Sequence, residues 1–125
     1  MKKTSFFLVA LGAILMLTTM SSCNKDRSAT IVFWQNEQDA IDANSIGVDV
    51  LKYYIDGEYV GSSASSEYFD SEPDCDGNSG GKHVVDLNGN KSKTIKWSVK
   101  DEDGFEWNSG TVVLNDGDCA ATYLW

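Results

Sequence analysis

Short runs of β-branched and aromatic residues, separated by turn-forming residues, fill the chain from residue 29 onward. Each run is roughly five to ten residues long, and Gly, Asn and Asp stand between the runs. No segment of this region carries the apolar stripe of an amphipathic helix. About seven strands, with turns about every 8 to 12 residues, predict an all-β fold: a single small antiparallel β-sandwich over residues 29–125.

Two segments specify their local structure closely. Asp56-Gly57, between two apolar runs, is typical of a type I′ turn and predicts a β-hairpin. Thr94 to Lys100 alternates apolar and polar residues, which predicts a strand with one buried and one wet face. We expect its apolar residues, Ile95, Trp97 and Val99, to face the core.

Other segments are less regular. The apolar phase shifts within Ile46 to Asp56, which indicates either a bulge or burial on both faces. Ser109-Gly110 predicts a bulge in the next-to-last strand. Gln35 to Ser45 is polar and acidic, and we interpret it as a loop with at most one helical turn. Asp70 to Gly81 is the second long loop, because its glycines and single proline oppose regular structure.

The first two dozen residues indicate where the protein is sent. Lys2 and Lys3 precede an apolar run from Phe6 to Leu17, which is typical of a secretory signal. That run is shorter than the roughly 20 residues that span a bilayer, so a retained transmembrane helix is the weaker interpretation. Met20-Ser21-Ser22-Cys23 then resembles the lipobox of bacterial lipoproteins, although Met20 departs from the usual leucine.

The lipobox resemblance implies cleavage before Cys23, a thioether-linked lipid on Cys23 and acylation of the new amino terminus. Residues 1–22 would be the signal peptide and residues 23–28 a short tether. Two or more acyl chains anchor a protein firmly. Lys25-Asp26 resembles the export tags of surface lipoproteins in Bacteroidota-type envelopes. We therefore expect an outer-membrane lipoprotein of the cell envelope, periplasmic or surface-exposed; the alternative is an ordinary signal with an incidental Cys23.

The charge balance restricts the partners. The full chain has a net charge of −9, and removal of residues 1–22, which contain two lysines and no acids, would make it −11. Such a charge disfavours nucleic acid and electrostatic adhesion to an anionic membrane face. We expect membrane association through the lipid on Cys23 alone.

Two cysteines remain once Cys23 is assigned to lipidation. An oxidising envelope favours their pairing, so we predict a Cys75–Cys119 disulfide. The bridge would join the second long loop, Asp70 to Gly81, to the start of the last strand. We call this second loop the acidic loop.

The hairpin segment Tyr53 to Gly61, followed later by Val85 to Gly89, resembles PEGA or carboxypeptidase-regulatory-like β-sandwich modules. The shared pattern is an apolar residue, Asp-Gly, a second apolar residue and a glycine, followed by a strand that ends at a glycine turn. Ser62 and Ser63 replace the proline that PEGA modules usually carry. The resemblance implies a non-catalytic structural or binding module.

The acidic loop carries oxygen ligands at every second position, as some calcium loops do: Asp70, Glu72, Asp74, Asp76 and Asn78. The EF-hand pattern fails, because Ser79 and Val85 occupy the positions of its glycine and its bidentate glutamate. A solvated acidic loop is the simpler interpretation, and we assign no metal or other cofactor. His83 is the single histidine, so His-dependent metal sites and Ser-His-Asp triads lack parts, and we expect a satisfied or exposed strand histidine.

These observations predict a non-catalytic binding or structural module rather than an enzyme. A small carbohydrate-binding module is the alternative, with Trp34, Trp107 and Trp125 as candidate surface aromatics, and a small hydrolase built on paired carboxylates is a second. A protein or glycan partner would bind the two long loops. We expect the acids of the second loop to dominate that surface and to favour a basic or calcium-bridged partner.

Overall fold

The computed structural model describes residues 26–125, in which seven strands form two sheets and one short helix connects them. The predicted all-β sandwich is confirmed. The predicted signal peptide, Cys23 and the start of the predicted tether lie outside the described residues. The elements are β1 (Ser28–Trp34), α1 (Glu37–Ser45), β2 (Val50–Ile55), β3 (Glu58–Ala64), β4 (Lys82–Asp86), β5 (Ser92–Lys100), β6 (Glu106–Asn115) and β7 (Cys119–Tyr123).

The strands form a three-stranded sheet in the order β4-β1-β7 and a four-stranded sheet in the order β3-β2-β5-β6. Six of the seven strands pair antiparallel with a neighbour, but β7 pairs parallel with β1, which corrects the predicted antiparallel arrangement. The turn after β6 sets this direction: Gly117 N donates to Ser28 O, and Thr30 N donates to Asp118 O. Strand β1 begins at Ser28, which is the last residue of the predicted tether.

The core lies between the two sheets. The Phe33 ring stacks on Tyr53 with centroids 4.8 Å apart, and it also lies 5.8 Å from the Trp97 ring. Ile95, Trp97 and Val99 are all buried in this cluster, as predicted. Burial of the Tyr53 hydroxyl raises its pKa to about 12, although a hydrogen bond with Ser63 opposes the shift.

Strand β1 is buried on both faces, which explains its uniformly apolar sequence. Ile31 and Phe33 belong to the core cluster, and Val32, on the opposite face, is also buried. The acidic loop lies beside this strand: Cys75 Sγ is 4.0 Å from Thr30 O. Cys75 is bonded to Cys119, with Cα atoms 5.8 Å apart, so the predicted disulfide is confirmed.

The interpretation of Gln35 to Ser45 as a loop is wrong, because α1 has nine residues. Asn36 caps the helix: its Oδ1 accepts from Asp39 N at 2.9 Å, and Asp39 Oδ2 accepts from Asn36 N at 3.3 Å. This reciprocal capping box satisfies two backbone donors that the first turn leaves free. Gly47, with φ of +86°, ends the helix in the left-handed conformation. The buried side is made of two alanines, a signal too weak to register as an apolar stripe.

The turn and bulge predictions have mixed outcomes. Asp56 and Gly57 have φ of +50° and +83°, which confirms the type I′ hairpin. The β2–β3 pairing does contain a bulge, but its extra residue, Val60, lies on β3 rather than within Ile46 to Asp56, and β2 itself alternates buried and half-buried residues. The second bulge is not at Ser109-Gly110: Val99 pairs with Asn108 and Lys100 with Glu106, so Trp107 is the extra residue.

Candidate functional site

A cleft of about 180 Å³ lies between α1 and the two tryptophans near the chain end. The helix side contributes Asp39, Asp42 and Ala43, and the C-cap residue Ile46 completes it. Trp107 of β6 and Trp125, which follows β7, form the other side. Apolar side chains with a few polar groups are the usual composition of a ligand site.

Trp107 is held by a buried carboxylate. It occupies the β6 bulge, a device that re-aims a side chain out of the regular alternation. Its Nε1 donates to Asp101 Oδ2 at 3.1 Å, and Asp101 Oδ1 accepts from the backbone N atoms of Asp103 and Phe105. Asp101 is only 8% exposed. Burial raises the pKa of this carboxyl, but the hydrogen bonds from Phe105, Trp107 and Asp103 outweigh burial, so the pKa lies below its ordinary value.

Trp125 is held in the same way by a buried amide. Its Nε1 donates to Gln35 Oε1 at 3.0 Å, and Gln35 is 2% exposed. Gln35 Nε2 in turn donates to the carbonyl oxygens of Ser65 and Glu67, at 2.7 and 2.9 Å. A buried polar network in which every group is paired fixes one geometry. Both indoles are therefore positioned before any ligand binds.

The two indoles form a corner rather than a flat platform. Their ring centroids are 6.3 Å apart and their planes meet at 70°. Phe105, which is 60% exposed, continues the aromatic surface with its ring at 66° to that of Trp107. Coplanar exposed rings, which a flat sugar-stacking surface would need, are not present in this cluster.

Two carboxylates one helical turn apart line the cleft. Asp39 Oδ2 is held by the Asn36 backbone and by the hydroxyl of Tyr123, which donates to it. This hydrogen bond to Asp39 raises the pKa of the Tyr123 hydroxyl, with burial as a smaller cause. Asp42 Oδ1 accepts from Gln38 Nε2 at 2.8 Å. Within residues 26–125, the second oxygen of each carboxylate makes no hydrogen bond, so it is free to accept one from a ligand.

The lining of the cleft is rich in acceptors and poor in donors. Both indole N–H groups are already used, by Asp101 and Gln35. Ala43 and Ile46 have no polar side-chain atoms, and ionised Asp39 and Asp42 can only accept. The side chains of the cleft therefore offer carboxylate oxygens and aromatic surface.

The structure keeps the predicted calcium ligands apart from this cleft. All five are exposed on the loop after β3, alternating with the half-buried Pro73 and Cys75: Asp70, Glu72, Asp74, Asp76 and Asn78. Asp74 Oδ1 accepts from Asp76 N at 3.0 Å, a local turn. Among residues 26–125, no group of three or more His, Cys, Asp or Glu side chains is arranged to hold a metal ion.

The candidate aromatics do not act as one group. Trp107 and Trp125 meet at the cleft, whereas Trp34 packs at a tilted angle against the ring of Tyr123 and does not line the cleft. His83, predicted to be satisfied or exposed, packs against Phe33 and Tyr53, and its Nε2 is buried without a partner among the described residues. Burial lowers the pKa of His83, opposed by a hydrogen bond with the Gly80 backbone.

Sequence reasoning placed a partner at the segment Gln35 to Ser45 but did not single out Asp39 or Asp42, because it treated that segment as a loop, and it assigned Ile46 to the next apolar run. The signals that could have found them are Asn36 three residues before Asp39, which is a capping-box spacing, and Gly47 as a helix stop.

Helix α1 is far from membrane-spanning length, and residues 26–125 contain no other helix that could cross a bilayer.

Comparison of the chain with protein-family models, with curated proteins and with solved structures gives no match.

Proposed function

We propose that this protein is a lipid-anchored component of the cell envelope and that its β-sandwich is a non-catalytic binding module. The observation that carries the proposal is the cleft at Trp107 and Trp125, whose indoles are held by the buried Asp101 and Gln35. Large aromatic surfaces held rigid in a concave site are typical of ligand binding, because little side-chain freedom is lost when the ligand arrives.

The anchor is supported by the sequence alone, through the charged amino terminus, the apolar run and the residues before Cys23. Strand β1 begins at Ser28, so five residue steps would join it to the lipidated cysteine. An extended chain of that length spans at most about 18 Å, which would keep the domain close to the membrane. Mass spectrometry of the mature amino-terminal peptide should find diacylglycerol on Cys23. An unmodified Cys23 would remove the anchor from the proposal.

The non-catalytic assignment is supported by the roles that the cleft carboxylates already have. Asp39 is committed to the helix cap and to Tyr123, and Asp42 lies on the same helix rather than across the cleft. Glycosidases place two carboxyl groups on opposite sides of the scissile bond. The resemblance of the β2–β3 hairpin to PEGA-like modules also favours a module without chemistry of its own.

A small carbohydrate-binding module is the second candidate, favoured by the exposure of Trp125, which is 38% accessible, at the mouth of a cleft. Indole faces stack on the apolar faces of sugar rings, and carboxylates accept from hydroxyl groups. The corner geometry suits one sugar better than an oligosaccharide.

Binding at the cleft can be tested by NMR on the mature, lipid-anchored protein purified in detergent. The four tryptophans give four indole N–H signals, and Trp107→Phe and Trp125→Phe variants identify the two from the cleft. A panel of neutral sugars, amino-acid amides and amines should contain compounds that shift these two signals and leave the core signal of Trp97 in place. Shifts confined to other regions, or turnover of glycans or peptides in the panel, would overturn the proposal.

A further inference from the structure

We infer that the cleft binds an organic cation, namely the ammonium or guanidinium end of a lysine or arginine side chain presented by a peptide. The inference rests on the proposed function and names its ligand class. It follows from four properties of the cleft: its hydrogen-bonding groups, the arrangement of its rings, its size and its charge.

The hydrogen-bonding groups match a ligand that only donates. The indole N–H of Trp107 is used by Asp101 and that of Trp125 by Gln35, so the side chains of the lining have no donor left. A sugar hydroxyl both donates and accepts, and an anion needs donors. Ammonium and guanidinium groups only donate, so free oxygens on Asp39 and Asp42 can satisfy them without leaving a ligand acceptor unpaired.

The ring arrangement matches a compact cation. A cation is attracted to an aromatic face when it lies within about 6 Å of the ring centroid. The Trp107 and Trp125 centroids are 6.3 Å apart with planes at 70°, and both indoles line the cleft, so a cation in the cleft has two aromatic rings as neighbours. Rings at a steep angle offer no single flat surface, which a flat ligand would need, but a compact cation can contact one indole face at a time.

The size of the cleft matches a single side chain. Its volume of about 180 Å³ is smaller than the roughly 300–1,000 Å³ of sites for drug-sized ligands. Ala43 and the exposed Ile46 provide apolar contact for the methylene stem of lysine or arginine.

The charge of the protein favours the same ligand. The chain has 19 acidic against 10 basic residues, so its field attracts cations toward the cleft and repels anions. Asp39 and Asp42 then supply the local charge at the helix side. A basic peptide is therefore the partner class that the cleft fits.

The test is an NMR titration of the mature, lipid-anchored protein in detergent with matched probes. N-acetyl-lysine methylamide and N-acetyl-arginine methylamide carry the cation, and N-acetyl-norleucine methylamide has a similar stem without charge. N-acetylglucosamine represents a neutral sugar, and spermidine represents a free polyamine. We expect the two cationic amides to shift the Trp107 and Trp125 indole signals, the norleucine amide to shift them at least about fivefold less, and the response to weaken with added salt.

A pair of isosteric variants locates the charge. Asp42→Asn keeps an oxygen that can accept from Gln38, so the fold is preserved, and it should weaken the binding of the cationic amides about fivefold. Asp74→Asn is the matched control, because Asp74 is also exposed and also accepts one hydrogen bond, but it lies on the acidic loop. It should change binding by less than about twofold.

The outcomes separate the inference from the proposed function. If the sugar shifts the two indole signals and the cationic amides do not, the inference fails and the binding module stands. If no probe shifts them, both fail. Equal weakening by Asp74→Asn and Asp42→Asn would overturn the inference in favour of non-specific charge. A much tighter response to spermidine than to both amides would overturn the peptide side chain as the source of the cation.

Discussion

Trp125 donates its indole hydrogen to Gln35, ninety residues earlier in the chain, over a distance of 3.0 Å. The same buried amide holds the backbone carbonyls of Ser65 and Glu67 after β3. One side chain thus connects the end of β1, the segment between β3 and the acidic loop, and a wall of the cleft. The position of the Trp125 indole therefore depends on the hydrogen bonds that hold the Gln35 side chain inside the sandwich.

Gln35→Ala should destabilise the protein by about 2 to 4 kcal/mol, because it leaves the buried Ser65 carbonyl, the part-buried Glu67 carbonyl and one indole N–H without their partner. The free energy of unfolding can be measured by urea denaturation. Gln38→Ala, at an exposed position of α1, is the control and should change stability by less than about 0.5 kcal/mol. Equal effects of the two substitutions would contradict the role assigned to Gln35.

The free energy of unfolding should fall as the pH drops below 6.5, which is the ordinary pKa of a histidine side chain. The group responsible is His83. Burial lowers the pKa of His83 in the folded protein, so the unfolded chain takes up a proton first and is stabilised by it. The contribution of neutral His83 to stability is fully present above pH 6.5. It is lost as the pH falls toward the lowered pKa of His83 in the folded protein. Denaturation midpoints between about pH 7 and about pH 5 measure it, before most carboxylates titrate.

His83→Asn, which does not titrate in this range, is the control for that measurement. Its stability should depend less on pH than that of the parent protein over the same interval. Parallel pH profiles for the two proteins would assign the acid sensitivity to other groups.

Replacement of both bridged cysteines by serine should cost about 2 to 4 kcal/mol of stability, because the bond closes a chain separation of 44 residues. The double variant Cys75→Ser/Cys119→Ser should keep its far-ultraviolet circular dichroism and unfold at lower urea. Thiol labelling of the denatured, unreduced mature protein should detect no free cysteine. Two labels per chain would show that the bridge does not form.

Gly110→Ala should destabilise the protein by about 1 to 3 kcal/mol through overpacking. A Cβ at this position would lie 2.9 Å from the indole of Trp97, whose ring is buried in the core and cannot move away cheaply. Ser109→Ala, at the neighbouring exposed position of β6, is the control and should be nearly neutral. A neutral Gly110→Ala variant would mean that the core adjusts around Trp97.

Several features followed from residues that are close in the chain or from counting. Asp56-Gly57 forms its hairpin because both residues tolerate positive φ, and β5 buries Ile95, Trp97 and Val99 because its side chains alternate between two faces. The Cys75–Cys119 bridge followed from the number of cysteines left after Cys23. Helix α1 was missed although its capping box is a local signal. Its buried side consists of two small alanines, which give no apolar stripe in the sequence.

The sequence by itself therefore determined the β-rich class, the strands with clear alternation, the Asp56-Gly57 turn and the disulfide, since each depends on local geometry or on the supply of one residue type. Only the tertiary structure decided the parallel pairing of β1 with β7, the bulge at Trp107 and the cleft itself. Strand patterns specify which face is buried but not which strand lies alongside. Asp42 and Trp125 come together because the sandwich packs α1 against the end of β7, a long-range relationship that no local pattern contains.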